Sequence, residues 1–147
     1  VAEDYYIKRD KEEIRMLEEQ GLKDIEYMPT SFDIAKYFCI GYEYIEIEGN
    51  EPSYLMREEF KIYISEKYRD NSYATRHLLA HELGHFFLHD KLVSEMNIFP
   101  HRIQEEYEAN VFSIFLMPQI AEGAQWEKLS PRKLNRKIYN KVFKKDD

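Results

Sequence analysis

Cysteine is almost absent from this chain, and long apolar runs are missing too. The one cysteine, Cys39, cannot form an internal disulfide, and one thiol cannot build a cysteine-based zinc site. No apolar run approaches the roughly 18 residues of a membrane span, and the first residues, VAEDYYIKRDKEE, contain no apolar segment typical of a secretory signal. We therefore expect a cytoplasmic protein that neither spans a membrane nor carries disulfides. Cys39 lies in the apolar segment FCIG and is predicted to be a buried, inert thiol.

The residues that are present suffice for a folded domain. Hydrophobic residues make up 44% of the 147 positions and aromatic residues 15%, which excludes a wholly disordered chain. Charged residues reach 33%, above the roughly 25% of average domains, and this favours solvated helical faces. The net charge of −7 argues weakly against general nucleic-acid binding.

The periodicity along the chain predicts an α+β fold. Thr30 and Ser31 are candidate caps for a short helix that Gly41 closes, and a Ser130-Pro131 pair is typical of a helix start. Period-two alternation predicts strands, and apolar positions at helical spacing predict helices. The expected order is helices, a small antiparallel sheet, then helices again. The predicted strands are 42–48, a short one near 54–56, and 60–65, and the predicted longer helices are 73–88, 103–117 and 131–143.

The segment His81-Glu82-Leu83-Gly84-His85 indicates a metal site. Residues four apart on a helix lie on one face, so the imidazoles of His81 and His85 can bind one zinc ion. Glu82 then lies beside the metal, where its carboxylate can accept a proton from a water that the metal activates. The motif lies within a predicted amphipathic helix, which is the context it requires.

A catalytic zinc needs a third protein ligand. A third histidine ten residues after His81 is excluded, because Lys91 occupies that position. Glutamates near the start of the 103–117 helix are the alternative, and the candidates are Glu105, Glu106 and Glu108. We favour Glu106 because Asn110 follows one turn later and could hydrogen-bond the ring nitrogen of a histidine ligand that does not bind the metal.

Other polar residues near the motif carry weaker predictions. His77 and His89 continue the four-residue spacing, but the rise of a helix prevents four histidines from sharing one ion. We interpret His89 as either a flanking polar contact or a packed residue, with packing favoured. His101, in a predicted connector that contains Pro100, and Tyr107 are candidates for an oxyanion or substrate contact.

Three segments together resemble the ImmA/IrrE family of metallopeptidases. The first is RHLLAHELGH at 76–85, the second is EYEANVF at 106–112, and the third is FLMP at 115–118. The opening DIAK at 33–36, followed by Gly41 and a strand, is also similar to that family. The resemblance covers roughly residues 30–118.

The resemblance implies a zincin-like fold, with zinc held by His81, His85 and Glu106 and with Glu82 as the catalytic base. It also implies a substrate class, namely helix-turn-helix repressors whose cleavage switches on a mobile element, a phage or a stress regulon. We expect one metallopeptidase domain at 1–147, in which a helical extension at 1–28 precedes a catalytic core at 30–118. The C-terminal regulatory domain of longer relatives is not expected here.

Charge is unevenly distributed along the chain. Residues 128–145 contain eight basic residues and no acidic ones, which predicts a basic C-terminal helix. Because the whole chain carries −7 and ends in two aspartates, residues 1–127 carry −13. An acidic body suits a basic, DNA-binding protein as substrate better than it suits DNA.

Two alternatives to cleavage stay open. One is a metal-stabilised binding module that captures a repressor or a toxin-linked partner without cutting it. The other is direct DNA binding through the basic helix, against which the acidic net charge of the chain argues. The presence of Glu82 favours the enzyme, because a degenerate copy would be expected to lose this residue first.

Overall fold

A computed structural model describes residues 30–89, 99–121 and 125–143. The helical extension predicted for 1–28 lies outside the described residues. The chain divides into two compact units at the junction of Leu79 and Ala80.

In the described part of the first unit, helix α1, Ser31–Tyr37, has its start fixed by a capping box. The Thr30 hydroxyl accepts a hydrogen bond from the Asp33 amide, and the Asp33 carboxylate accepts one from the Thr30 amide at 2.9 Å. This confirms Thr30 as the cap. The Ser31 hydroxyl instead donates to the carbonyl of Arg76 at 2.8 Å.

The prediction of a buried thiol at Cys39 is wrong. Helix α1 ends two residues before Cys39, which adopts a left-handed backbone conformation with φ of 60°. This conformation lets the chain leave the helix, and Cys39 is exposed. The apolar residue that the turn buries is Ile40.

Three strands form one mixed sheet in the order β1-β3-β2. The strands are β1, Gly41–Ile45; β2, Ser53–Met56; and β3, Lys61–Ser65. Strand β2 pairs antiparallel with β3, whereas β1 pairs parallel with it. The expectation of a wholly antiparallel sheet is therefore wrong for one of the two strand pairs.

The connections explain the mixed sheet. A turn containing Gly49, with φ of +81°, reverses the chain between β1 and β2, and the segment 57–60 reverses it again before β3. Strand β3 therefore runs in the direction of β1, and it inserts between the other two strands. Its side chains Ile62 and Ile64 are fully buried, as a central strand requires.

Helix α2, Ser72–Leu88, follows the sheet and contains the junction of the two units. The Asn71 side chain caps it by accepting from the amide of Ala74 at 3.0 Å. Within the first unit, the hydroxyls of Thr75 and Tyr44 are hydrogen-bonded at 2.8 Å, which ties the start of α2 to β1.

The second unit contains the rest of α2, helix α3, Phe99–Leu116, and helix α4, Pro131–Phe143. The connector predicted around Pro100 and His101 is wrong, because both residues belong to α3. Proline is tolerated in a first helical turn, where its missing N–H would have no partner in the helix.

The apolar residues of the second unit form its core. Helix α4 contributes Leu134, Ile138 and Val142, all buried, and packs against α3. Among the residues of this unit that the structure describes, the other buried apolar ones are Ala80, Leu83, Ala109, Ile114, Met117, Ile120 and Ala121. Over the described ranges, no helix is both long and apolar enough to cross a membrane. The predicted α+β class is confirmed.

Candidate metal centre

Close packing of α2 against α3 builds the candidate metal centre. A Cβ atom placed on Gly84 would lie 2.9 Å from the Cα of Ala109, and 3.0 Å from the Cβ of Phe112. Only glycine permits this approach, since real Cβ atoms do not come so near to a neighbouring backbone. Glu106 lies less than one turn before Ala109, so the contact brings its carboxylate to the histidine face of α2.

Three side chains converge at this point. The Nε2 atoms of His81 and His85 are 3.1 Å apart. One Glu106 oxygen lies 3.1 Å from the Nε2 atom of His81, and the other lies 3.1 Å from that of His85. All three ligand atoms lie within 4.8 Å of one another. The structure therefore brings together the two histidines and the glutamate that the sequence analysis favoured.

A hydrogen-bond chain fixes the orientation of His81. The Asn135 amide nitrogen makes a long contact of 3.5 Å with the backbone carbonyl of Ile103, which only accepts hydrogen bonds. The Asn135 oxygen therefore faces Asn110 and accepts from its amide nitrogen at 2.8 Å. The Asn110 oxygen is left to accept from the Nδ1–H of His81 at 2.9 Å. His81 then carries its lone pair on Nε2, toward His85 and Glu106.

This donor set fits a divalent metal ion. Two imidazole nitrogens and a carboxylate oxygen point at one place, and their lone pairs repel one another unless a positive charge lies between them. Zinc–nitrogen distances of about 2.0–2.1 Å in a tetrahedron correspond to ligand separations of roughly 3.3 Å. The separation of 3.1 Å between the two Nε2 atoms is close to that value, and each of them lies 3.1 Å from a different oxygen of Glu106.

The pKa values of these groups express the same preference for a positive charge. Burial lowers the pKa of His81, but the Glu106 carboxylate outweighs this effect, and the pKa rises to about 9. Burial conversely raises the pKa of Glu106, yet the contacts with His81 and His85 bring it well below its usual range. A proton on His81 and a metal ion therefore compete for the same position.

Glu82 lies between the two histidines in sequence and is buried, with 6% of its surface exposed. Its negative charge contributes to the raised pKa of His81. A buried carboxylate beside a metal position is suited to accept a proton from a reacting water.

The remaining predicted residues all lie on α3. The Glu108 carboxylate accepts a hydrogen bond from the Nε2 atom of His89 at 2.9 Å, away from the point of convergence. Glu105 and Tyr107 are half-buried on either side of Glu106. His101 belongs to the helix, but its side chain lies outside the described part of the chain.

The sequence did not specify the hydrogen-bond partners of two residues, His89 and Asn135. His89 is both packed and polar, since it is buried and hydrogen-bonded to His85 as well as to Glu108. The spacing of four residues between His85 and His89 was the sequence feature that could have predicted their contact. Asn135 offered none, because its partner Asn110 is 25 residues away on a different helix.

The sequence of this chain matches one known protein family. The family model described as Peptidase_M78, IrrE N-terminal-like domain, matches residues 49–133, which is more than half of the chain. The chain belongs to this family. No curated protein and no solved structure matches it significantly.

Membership confirms the ImmA/IrrE-type resemblance and identifies a metallopeptidase domain that acts on protein substrates. The α+β architecture with a small mixed sheet is consistent with the zincin-like fold of such enzymes. The matched region contains α2 and α3, which carry all three converging side chains.

Proposed function

We propose that the chain is a zinc endopeptidase in which His81, His85 and Glu106 bind the metal and Glu82 is the general base. The convergence of the three ligand atoms within a metallopeptidase domain is the observation that carries this proposal. Zinc in such a site acidifies a bound water and polarises a carbonyl group.

The residues of the chain then have separate roles in peptide hydrolysis. Glu82 accepts a proton from the attacking water as the water oxygen bonds to the carbonyl carbon. It returns the proton to the leaving nitrogen when the C–N bond breaks. Asn110 holds His81 with its Nε2 lone pair toward the metal position, through the contact at 2.9 Å.

His101 and Tyr107 are proposed to contact the substrate or the developing oxyanion. Both lie on α3, the helix that carries Glu106. Because only a neutral donor or a cation stabilises an oxyanion, the Tyr107 hydroxyl or the His101 imidazole would serve by donating a hydrogen bond.

We further propose that the substrate is a helix-turn-helix repressor in the cytoplasm, whose cleavage derepresses a mobile element, a phage or a stress regulon. The resemblance over residues 30–118 supports this substrate class. Charge supports it too, since residues 1–127 carry −13 and a DNA-binding repressor presents a basic surface.

The test is incubation of the purified chain with Zn²⁺ and the repressor encoded beside its gene, followed by mass spectrometry of the products. A zinc endopeptidase with a narrow substrate range produces two fragments from one cleavage site, and an excess of chelator stops the reaction. Cleavage that persists in excess chelator would contradict the metal mechanism.

Capture without cleavage is the competing outcome. An intact repressor in a stable complex with the zinc-loaded chain would identify a binding module and overturn the peptidase proposal. The Glu82→Gln variant is the matched control, because it keeps the metal ligands while losing the base. A true enzyme and this variant differ in cleavage, whereas a binding module and this variant behave alike.

A further inference from the structure

His89 directly follows α2 and contacts the Nδ1 atom of His85, which is the ring nitrogen away from the converging ligand atoms. Its Nδ1 atom is 2.8 Å from the Nδ1 atom of His85, and its Nε2 atom is 2.9 Å from a Glu108 oxygen. Only 4% of the His89 side chain is exposed. Both nitrogens of this buried ring are hydrogen-bonded, and these two contacts fix the orientation of the ring.

The partners of His89 determine where its proton lies. An ionised carboxylate only accepts hydrogen bonds, so His89 donates its Nε2–H to Glu108. The Nδ1 atom of a neutral His89 is then an acceptor, and His85 must donate its Nδ1–H to it. This leaves the lone pair of His85 on Nε2, which is the atom that lies 3.1 Å from both His81 and Glu106.

Glu108 is itself held in place. Its second oxygen accepts a hydrogen bond from the side-chain amide of Gln104 at 3.2 Å, one turn earlier on α3. The chain of contacts therefore runs from Gln104 through Glu108 and His89 to His85. Each link has one consistent donor and one acceptor.

We propose that His89 and Glu108 are positioning residues that hold His85 in the tautomer and ring orientation needed to bind the metal. The inference rests on the proposed zinc site and extends it. His89 is not a fourth ligand, because Glu108 occupies its Nε2 atom and its Nδ1 atom faces the rear nitrogen of His85. His89 accepts a hydrogen bond from the Nδ1–H of His85, as Asn110 does from the Nδ1–H of His81. Each histidine ligand therefore has its own acceptor on the side away from the metal position.

The test measures Zn²⁺ affinity of the full chain by competition with a chromogenic chelator. His89→Phe keeps an aromatic ring but removes the acceptor, and we expect about 10- to 100-fold weaker binding, the usual effect of losing an outer-shell partner. Glu108→Gln keeps an accepting oxygen and should lose less. His89→Gln, whose amide oxygen can accept from His85, should recover part of the affinity lost in His89→Phe.

Glu127→Gln is the matched control for charge, because Glu127 is exposed in a short turn of the same unit. It should bind Zn²⁺ as the unmodified chain does. Circular dichroism verifies folding, and Glu108→Gln keeps the proposal testable if the buried His89→Phe change prevents folding.

A spectroscopic readout separates positioning from general stability. Nitrogen-15 NMR of the zinc-loaded chain should show a hydrogen-bonded proton on the Nδ1 atom of His85, and His89→Phe should shift the signal of this proton because its acceptor is lost. Folded His89→Phe and Glu108→Gln proteins with unchanged affinity and an unchanged His85 Nδ1–H signal would overturn the relay alone. Failure of the unmodified chain to bind Zn²⁺ would instead overturn the zinc site and, with it, the relay.

Discussion

Gly84 lies against Ala109 so closely that a single added methyl group would reach 2.9 Å from the Ala109 Cα atom. This glycine lies within the segment from His81 to His85 that carries both histidine ligands, between Glu82 and His85. The backbone contact sets the separation of α2 and α3, and with it the distance from the Glu106 carboxylate to the two imidazoles.

Gly84→Ala should therefore weaken both folding and metal binding. Because the added atom meets backbone atoms that cannot turn aside, the overpacking should cost about 1–3 kcal/mol of unfolding free energy. Denaturant unfolding and Zn²⁺ titration measure the two effects. Gly41→Ala is the matched control, since a Cβ there has no neighbour within 4 Å. Equal behaviour of the two variants would contradict this role for Gly84.

Glu82→Gln should retain zinc and lose peptidase activity. The amide cannot accept a proton from water, and loss of a general base lowers rates by about 10²–10⁴-fold. Metal analysis of the purified variant together with a cleavage assay separates the two properties. A variant that keeps its zinc and still cleaves at the original rate would remove Glu82 from the mechanism.

Among the α3 glutamates, Glu106→Gln should have the largest effect on zinc binding. Its two oxygens lie 3.1 Å from His81 and His85, and an uncharged amide is a poorer ligand for a divalent cation. Glu105→Gln is the comparison, because it removes the same charge from the preceding position. Zinc content after dialysis is the measurement, and a greater loss in Glu105→Gln would reassign the third ligand.

The metal-free chain should lose stability as the pH rises from about 6.5 to about 9. His81 has a folded-state pKa of about 9, above its ordinary value of 6.5. Its stabilising contribution is complete below 6.5 and is lost as the pH passes through 9. Glu106, whose pKa is lowered, contributes above its ordinary value of 4.5. Because zinc binding requires His81 to lose its proton, the apparent zinc affinity should rise over the same window.

Thermal unfolding at several pH values, with chelator and with Zn²⁺, measures this dependence. The zinc-loaded chain should give the flatter profile between pH 6.5 and 9. His81→Asn removes the titrating group and should flatten the profile of the metal-free chain. A steep profile that survives in His81→Asn would assign the effect to another group.

Asn135→Ala should disturb the metal centre from the C-terminal helix α4. The substitution leaves the buried Asn110 amide nitrogen without its acceptor, at a cost of about 1–3 kcal/mol, and frees Asn110 to turn away from His81. Unfolding and Zn²⁺ affinity are the measurements. Asn140→Ala is the matched control, because Asn140 is exposed on the same helix. Identical results for both variants would separate α4 from the site.

Local sequence patterns were sufficient to predict most elements of the fold. The predicted helix at 73–88 differs from α2 by one residue, and the predicted 131–143 helix coincides with α4. The arrangement of strands was not predictable in the same way, because period-two alternation in 60–65 reports one buried face and not which strands lie alongside. Cys39 was misassigned because its exposure depends on a backbone dihedral angle and not on the apolar residues beside it.

For the site, spacing along one helix was informative and contacts between helices were not. His81, Glu82 and His85 follow from positions on α2 alone. The choice of Glu106 required an assumption about which glutamate of the neighbouring helix faces the histidines, and Asn110 one turn later supported that choice. The link from His89 to Glu108 depends on how α2 and α3 are aligned, which Gly84 controls and no periodicity encodes.

The central position of β3 limits how an extended peptide could join the sheet. Both edges of β3 are already paired, so a substrate strand cannot join the sheet at 60–65. Within the described residues, the outer strands are β1 and β2, and they run in opposite directions. A peptide adding to β1 in parallel and one adding to β2 in parallel would therefore present opposite polarity, N-terminus to C-terminus. The outer strand to which a substrate peptide binds would therefore determine the N-to-C direction of the bound peptide.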